Sequence, residues 1–205
     1  MPRGTQAIIG ANVVVFLLQL SMGTSLTAMF ALWPIDPDPA AYFGPGVGFA
    51  PWQLITYGFL HGGMSHIFFN MFAIYMFGSA LEQFFGTRYY VTLYLVSIVA
   101  AGLTQLAVNA LLGSPYPTLG ASGGVYGLLL AFGMYFPQQR IMLLFPPVAM
   151  PAWVAVTGYA VLELVLGVTG TQQGVAHFAH LGGMLGAFVM IQWRRRKPPF
   201  PRPRR

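Results

Sequence analysis

Ser122 stands in the run Gly120-Ala121-Ser122-Gly123-Gly124-Val125-Tyr126-Gly127, a hydroxyl among small residues at the start of an apolar segment. Two readings are open on these eight residues. Gly-x-Ser-x-Gly is the pattern of the α/β-hydrolase nucleophile elbow, which needs a preceding strand and a soluble doubly wound sheet. Glycine and serine together also mark ordinary helix contacts in membranes. A serine hydroxyl becomes an effective nucleophile when an adjacent base takes its proton, and His61, His66, His177 and His180 are the histidines that could serve.

His180-Leu181-Gly182-Gly183-Met184-Leu185-Gly186 combines an imidazole with three glycines. Gly182 and Gly186 form Gly-x-x-x-Gly, as do Gly123 and Gly127, a spacing that lets helix backbones approach closely. The expectation is that these pairs thin the two helices where they meet, within reach of a serine-histidine hydrogen bond. His66 and Asn70 are spaced i, i+4 and share a helix face. Facing a serine, both side chains can donate to an oxyanion; each alone is equally an interhelical hydrogen-bonding residue.

Other chemistries lack their residues. There is no cysteine, so no thiolate ligand or nucleophile. His177 precedes His180 by three residues, so both could face one metal. A catalytic zinc needs three protein ligands, and no His-Glu-x-x-His motif occurs; no metal or cofactor is expected. Asp36 and Asp38 belong to a loop, which excludes a membrane aspartyl pair. No acid is placed to complete a triad of the Ser-His-Asp kind: Glu82 lies near the far end of its span, and Glu163, in a later span, reads as structural. His61, in a loop, reads as hydrogen-bonded and structural.

The elements that must position these residues are membrane helices. Of the 205 residues 56% are hydrophobic and 7% charged, with a mean hydropathy of +0.65; soluble domains carry about 25% charged residues. A spanning helix takes roughly 20 apolar residues, and six fit: residues 7–32, 64–85, 89–112, 122–136, 148–167 and 175–193. The expected fold is an all-α polytopic six-helix bundle over residues 1–193, with a solvated basic, Pro-rich tail over 194–205. Residues 33–52, rich in Pro and Gly, form a long first loop.

Six spans place Arg3, Arg88, Arg140 and the seven cations after residue 193 on one side. The positive-inside rule makes that side, with both termini, cytoplasmic. The net charge of +6 therefore reads as orientation rather than nucleic-acid binding. On this topology Ser122, His180, His66 and Asn70 converge at similar depth near the outer face, and polar groups inside spans mark function by default.

The chain resembles the rhomboid intramembrane serine proteases over nearly its whole length. The match lies in Leu32-Trp33-Pro34, Thr56 to His61, His66 to Asn70, Gly78 to Glu82, Gly120 to Gly127 and Ala179 to Gly183. The resemblance implies Ser122 as nucleophile and His180 as general base. It implies an oxyanion hole from His66, Asn70 and the Ser122 backbone N–H. Tyr126 would pack on the His180 ring and hold its rotamer in place of an acid, with Gly120, Gly123 and Gly183 in supporting positions. Many members carry Trp-Arg where this chain has Trp52-Gln53. The implied substrates are transmembrane segments of other proteins in the lipid bilayer, and the compact form suggests a prokaryotic plasma membrane. A non-catalytic rhomboid-like client binder is the alternative. A transporter would show inverted repeats around a midplane site, and none is visible.

Overall fold

The computed structural model describes residues 1–142, 147–170 and 175–196. Six helices carry the fold: α1 (Arg3–Met22), α2 (Met64–Phe85), α3 (Thr87–Leu112), α4 (Ser122–Tyr135), α5 (Ala152–Thr169) and α6 (His177–Arg196). The all-α bundle expected from composition is what the chain forms. Helices α1, α2, α3 and α5 are each long and apolar enough to cross a membrane. Their outward residues remain apolar and exposed, among them Leu17 on α1, Phe68 on α2, Val165 on α5 and Phe188 on α6, as lipid contact requires.

Several boundaries differ from those expected. The first apolar run breaks at Gly23, whose φ of 60° ends α1 and starts a separate short helix, Thr24–Phe30. Residues past α4 form a small hairpin, β1 (Arg140–Met142) against β2 (Ala149–Pro151), with Ile141 opposite Met150. Helix α6 continues three residues beyond residue 193 into the basic run; residues 197–205 of the expected tail lie outside the described residues.

The start of α1 and the end of α6 sit at one end of the bundle. The Glu82 carboxylate accepts hydrogen bonds from the Gly4 and Thr5 backbone N–H groups, each at 2.7 Å, satisfying donors that a helix start leaves open. The same carboxylate accepts the Thr87 hydroxyl at 2.7 Å, tying α1, α2 and α3 together. Arg194 lies over the Tyr89 ring at 4.0 Å and Arg195 over the Tyr135 ring at 5.1 Å.

The centre of the bundle is the trio α3, α4 and α6, with α5 packed more lightly on its flank. Helix α4 has 14 residues, about 21 Å at 1.5 Å per residue, too short for a hydrocarbon core of about 30 Å. It begins deep in the bundle. A Cβ on Gly123 would stand 2.5 Å from the Ala101 Cβ, eleven residues, or about 16 Å, before the end of α3. Residues 113–121 cover that distance. They are held to the first loop by reciprocal Leu32–Thr118 backbone bonds of 2.9 Å and by the Gly120 N–H on the Tyr57 carbonyl at 2.9 Å.

Candidate active site

Ser122 is the first residue of α4, so its backbone N–H is among the donors without an intrahelical acceptor. Its Oγ lies 2.8 Å from His180 Nε2, joining residues 58 positions apart. His180 is in the first turn of α6 and 8% exposed. Its ring stacks on Tyr126, with centroids 4.2 Å apart and planes 8° from parallel. Tyr126, one turn after Ser122, is on the same helix face, so α4 presents both the serine and the surface on which the imidazole lies.

The close approach of α4 and α6 rests on a different glycine pair from the one the Gly-x-x-x-Gly spacing suggests. A Cβ on Gly182 would meet the Thr104 side chain and the Ala100 carbonyl, and one on Gly186 would meet the Ala100 methyl and the Val96 carbonyl, all on α3. Gly183 is the residue that faces α4: a Cβ there would lie 2.8 Å from the Gly123 carbonyl carbon. A Cβ on Gly127 would stand 3.1 Å from the Gly183 carbonyl oxygen. Adjacent glycines on α6 thus serve two neighbours, because consecutive helix positions point about 100° apart.

His66 and Asn70 sit in the first two turns of α2. The Gly62 N–H donates to His66 Nδ1 at 3.3 Å, which leaves the proton of the neutral ring on Nε2. A Cβ built on Gly120 would be 2.8 Å from His66 Nε2 and 3.7 Å from Ser122 Oγ. The protonated ring edge and the serine therefore border the same space, which only a residue without a side chain leaves open. Gly120 also has φ +132°, in the region that favours glycine. Asn70 is buried and donates one amide N–H to its own-helix His66 carbonyl at 3.1 Å; a carboxamide has a second N–H to offer. A cavity of about 520 Å³ opens over His66 and Ser122, lined also by Gly120, His180, Asn109 and Tyr116 among others; Asn70 lies outside its lining.

The structure corrects the reading of Glu163. Although it comes from α5, its carboxylate reaches the site: Oε2 lies 2.6 Å from His177 Nδ1 and 3.0 Å from His180 Nδ1, and Oε1 accepts the Tyr126 hydroxyl. An acid does stand behind His180. The sequence carried one hint, a carboxyl inside an apolar span, which is costly without partners; its direction around the helix decided the rest. The count of metal donors changes too, since Glu163, His177 and His180 bring three within 4.8 Å. Donors on a tetrahedral zinc with bonds of about 2.0–2.1 Å stand roughly 3.3 Å apart. The carboxylate contacts are shorter, at hydrogen-bond separations, and Tyr126 holds the other oxygen.

His61 lies outside the cavity lining. It is buried, edge-on to His66 at 5.1 Å and to Phe16 at 6.4 Å between centroids. Its backbone N–H donates to Gln19 Oε1 at 2.8 Å. Burial, and then the neighbouring His66, pushes the ring down to about 4. Gln53 is 1% exposed. It accepts the Trp33 N–H at 3.1 Å and donates to the Gly48 carbonyl at 2.9 Å, so at this position an uncharged amide ties the first loop to itself.

The molecule is thus an all-α membrane bundle with a serine and a histidine paired at the recessed start of its shortest major helix. A family model described as the Rhomboid domain matches residues 49–197, and the chain belongs to the rhomboid family. It is 27% identical over 188 residues to Rhomboid protease GluP of Bacillus subtilis, covering 91% of this chain and 34% of that protein. To Rhomboid protein 1, mitochondrial, of Saccharomyces cerevisiae it is 34% identical over 147 residues, covering 69% and 41%. To Rhomboid protease GlpG of Klebsiella pneumoniae it is 28% identical over 196 residues, covering 91% and 61%. The chain therefore spans between about a third and three fifths of the length of these relatives.

Proposed function

We propose that the protein is an intramembrane serine endopeptidase that cleaves peptide bonds in or beside transmembrane segments of other membrane proteins. The observation that carries this reading is the 2.8 Å contact between Ser122 Oγ and His180 Nε2 beneath an open cavity. Ser122 Oγ attacks the scissile carbonyl carbon while its proton passes to His180 Nε2. The carbonyl oxygen becomes an oxyanion, met by the Ser122 backbone N–H, His66 Nε2–H and the free Asn70 N–H; such preorganised donors lower a barrier by roughly 3–4 kcal/mol each. His180 then returns the proton to the leaving amine, and water entering through the cavity hydrolyses the acyl-enzyme by the same route. Substrate must present an unwound segment, because a helix in lipid keeps its carbonyls in internal hydrogen bonds.

The cation distribution supports cytoplasmic termini and a site near the opposite face; the compact six-span form is the ground for proposing a plasma membrane of prokaryotic type. Purified protein treated with a fluorophosphonate should label at Ser122, and the label should vanish in Ser122→Ala and His180→Ala. Labelling that persists in Ser122→Ala, or failure of the wild type to cleave any transmembrane substrate, overturns the proposal. Topology is checked by reporters fused after Leu32 and after Arg205. They should report opposite sides.

A further inference from the structure

Glu163 is 5% exposed, and every recorded partner of its carboxylate belongs to the site. Oε1 accepts the Tyr126 hydroxyl; Oε2 faces His177 Nδ1 at 2.6 Å and His180 Nδ1 at 3.0 Å. Among the described residues His180 Nδ1 has no hydrogen-bond partner, and its approach to Oε2 is not aligned as a hydrogen bond while His177 holds that oxygen. A buried imidazole nitrogen without a partner is costly, and an acceptor stands 3.0 Å from it, the Glu163 carboxylate. The titratable groups facing Glu163 are Tyr126 from α4 and His177 and His180 from α6, with Tyr159 of its own helix edge-on to Tyr126 at 6.4 Å.

We infer that Glu163 is the positioning acid of a Ser122-His180-Glu163 relay in this chain, with His177 competing for the same carboxylate oxygen. The inference rests on the reading of Ser122 as nucleophile and deepens it. With a carboxylate at Nδ1, neutral His180 keeps its proton there, and the Nε2 lone pair is the one that faces Ser122. When the Oγ–H bond breaks and the proton binds Nε2, the positive charge of the imidazolium is shared between Nε2–H and Nδ1–H, and Nδ1–H points toward the anion. The carboxylate itself takes no proton, as in triads where the acid orients the base and stabilises its cation. Because Glu163 is carried by α5, the helix that packs lightly on the flank of the central trio, the arrangement also makes the basicity of His180 depend on how α5 sits.

The test is the pH dependence of fluorophosphonate labelling and of kcat/KM for the intact protein in detergent, comparing wild type, Glu163→Gln, Glu163→Asp and His177→Leu. Loss of the anion lowers the basicity of His180, so the acid limb of the Glu163→Gln profile should move to lower pH by about one unit or more. The plateau should fall at least roughly tenfold in kcat with little change in KM, and Glu163→Asp should restore part of both. His177→Leu removes a donor from Oε2, frees it for His180, and should move the acid limb upward. Wild-type labelling with an unmoved limb in Glu163→Gln leaves the nucleophile reading intact and overturns the role of Glu163. If Glu163→Gln does not fold, an unmoved limb in His177→Leu overturns it instead. Absence of wild-type labelling at Ser122 overturns both.

Discussion

Gly183 and Gly123 lie back to back, so close that a Cβ on Gly183 would be 2.8 Å from the Gly123 carbonyl carbon. The partner there is backbone, which cannot rotate away as a side chain can. Gly183→Ala should therefore push α6 off α4 and lengthen the Ser122–His180 contact. Overpacking of this kind costs about 1–3 kcal/mol, and a misplacement of about 1 Å costs on the order of a hundredfold in rate. Labelling of Ser122 should fall by at least tenfold, alongside a lower melting temperature. Gly158→Ala, where a Cβ meets nothing within 4 Å, should leave both unchanged.

Gly120→Ala tests His66 as the proposed oxyanion donor. The new methyl meets His66 Nε2 at 2.8 Å and has to be carried at φ +132°. His66 must swing from the space above Ser122, removing one donor, worth about a hundredfold or more in kcat. Steady-state kinetics should show the loss in kcat, with KM within a few-fold of wild type.

Gln53→Leu keeps the volume but leaves the Trp33 N–H and the Gly48 carbonyl without their side-chain partner. Unsatisfied buried groups cost about 1–3 kcal/mol each. Thermal unfolding in detergent should come several degrees earlier. Gln53→Glu should be no milder, since the donor to Gly48 is lost.

His61 gives stability a defined pH dependence. Its ring is held neutral to about pH 4 in the fold, whereas an unfolded histidine titrates near 6.5. Between those values the unfolded chain binds more protons, so stability rises with pH. The contribution is full above about 6.5 and is lost as pH falls toward 4. The wild-type melting temperature should drop over that interval, and His61→Phe should flatten the drop while the ring contacts with Phe16 and His66 persist.

Much of the molecule was legible in the order of its residues, for reasons that can be named. Apolar runs of spanning length announce helices because lipid offers no partner to an open backbone; the orientation read from the ten cations is left to the reporter fusions. Ser122, His180, His66 and Asn70 were found by type and spacing, and Tyr126 through the family resemblance. The structure brings Ser122, Tyr126, His180 and His66 to one place, with Asn70 in the turn behind His66, and their catalytic roles await the labelling experiment. The break at Gly23 and the hairpin of β1 and β2 were not visible, since a run of apolar residues does not show where a single glycine takes a positive φ or where a loop pairs with itself.

What the sequence determined by itself, then, is the class of solvent, the all-α architecture and the candidates for a nucleophile and a base. Which faces meet was left to tertiary packing. Helix rotation cannot be read from a Gly-x-x-x-Gly spacing when adjacent glycines on one helix serve two neighbours, so Gly182 and Gly186 turned out to face α3 while Gly183 faces α4. Nor can it be read from a lone carboxyl in a span. Glu163 joins Tyr126, His177 and His180 because α5 packs with that side inward, a choice made by contacts between residues 14 to 37 positions apart.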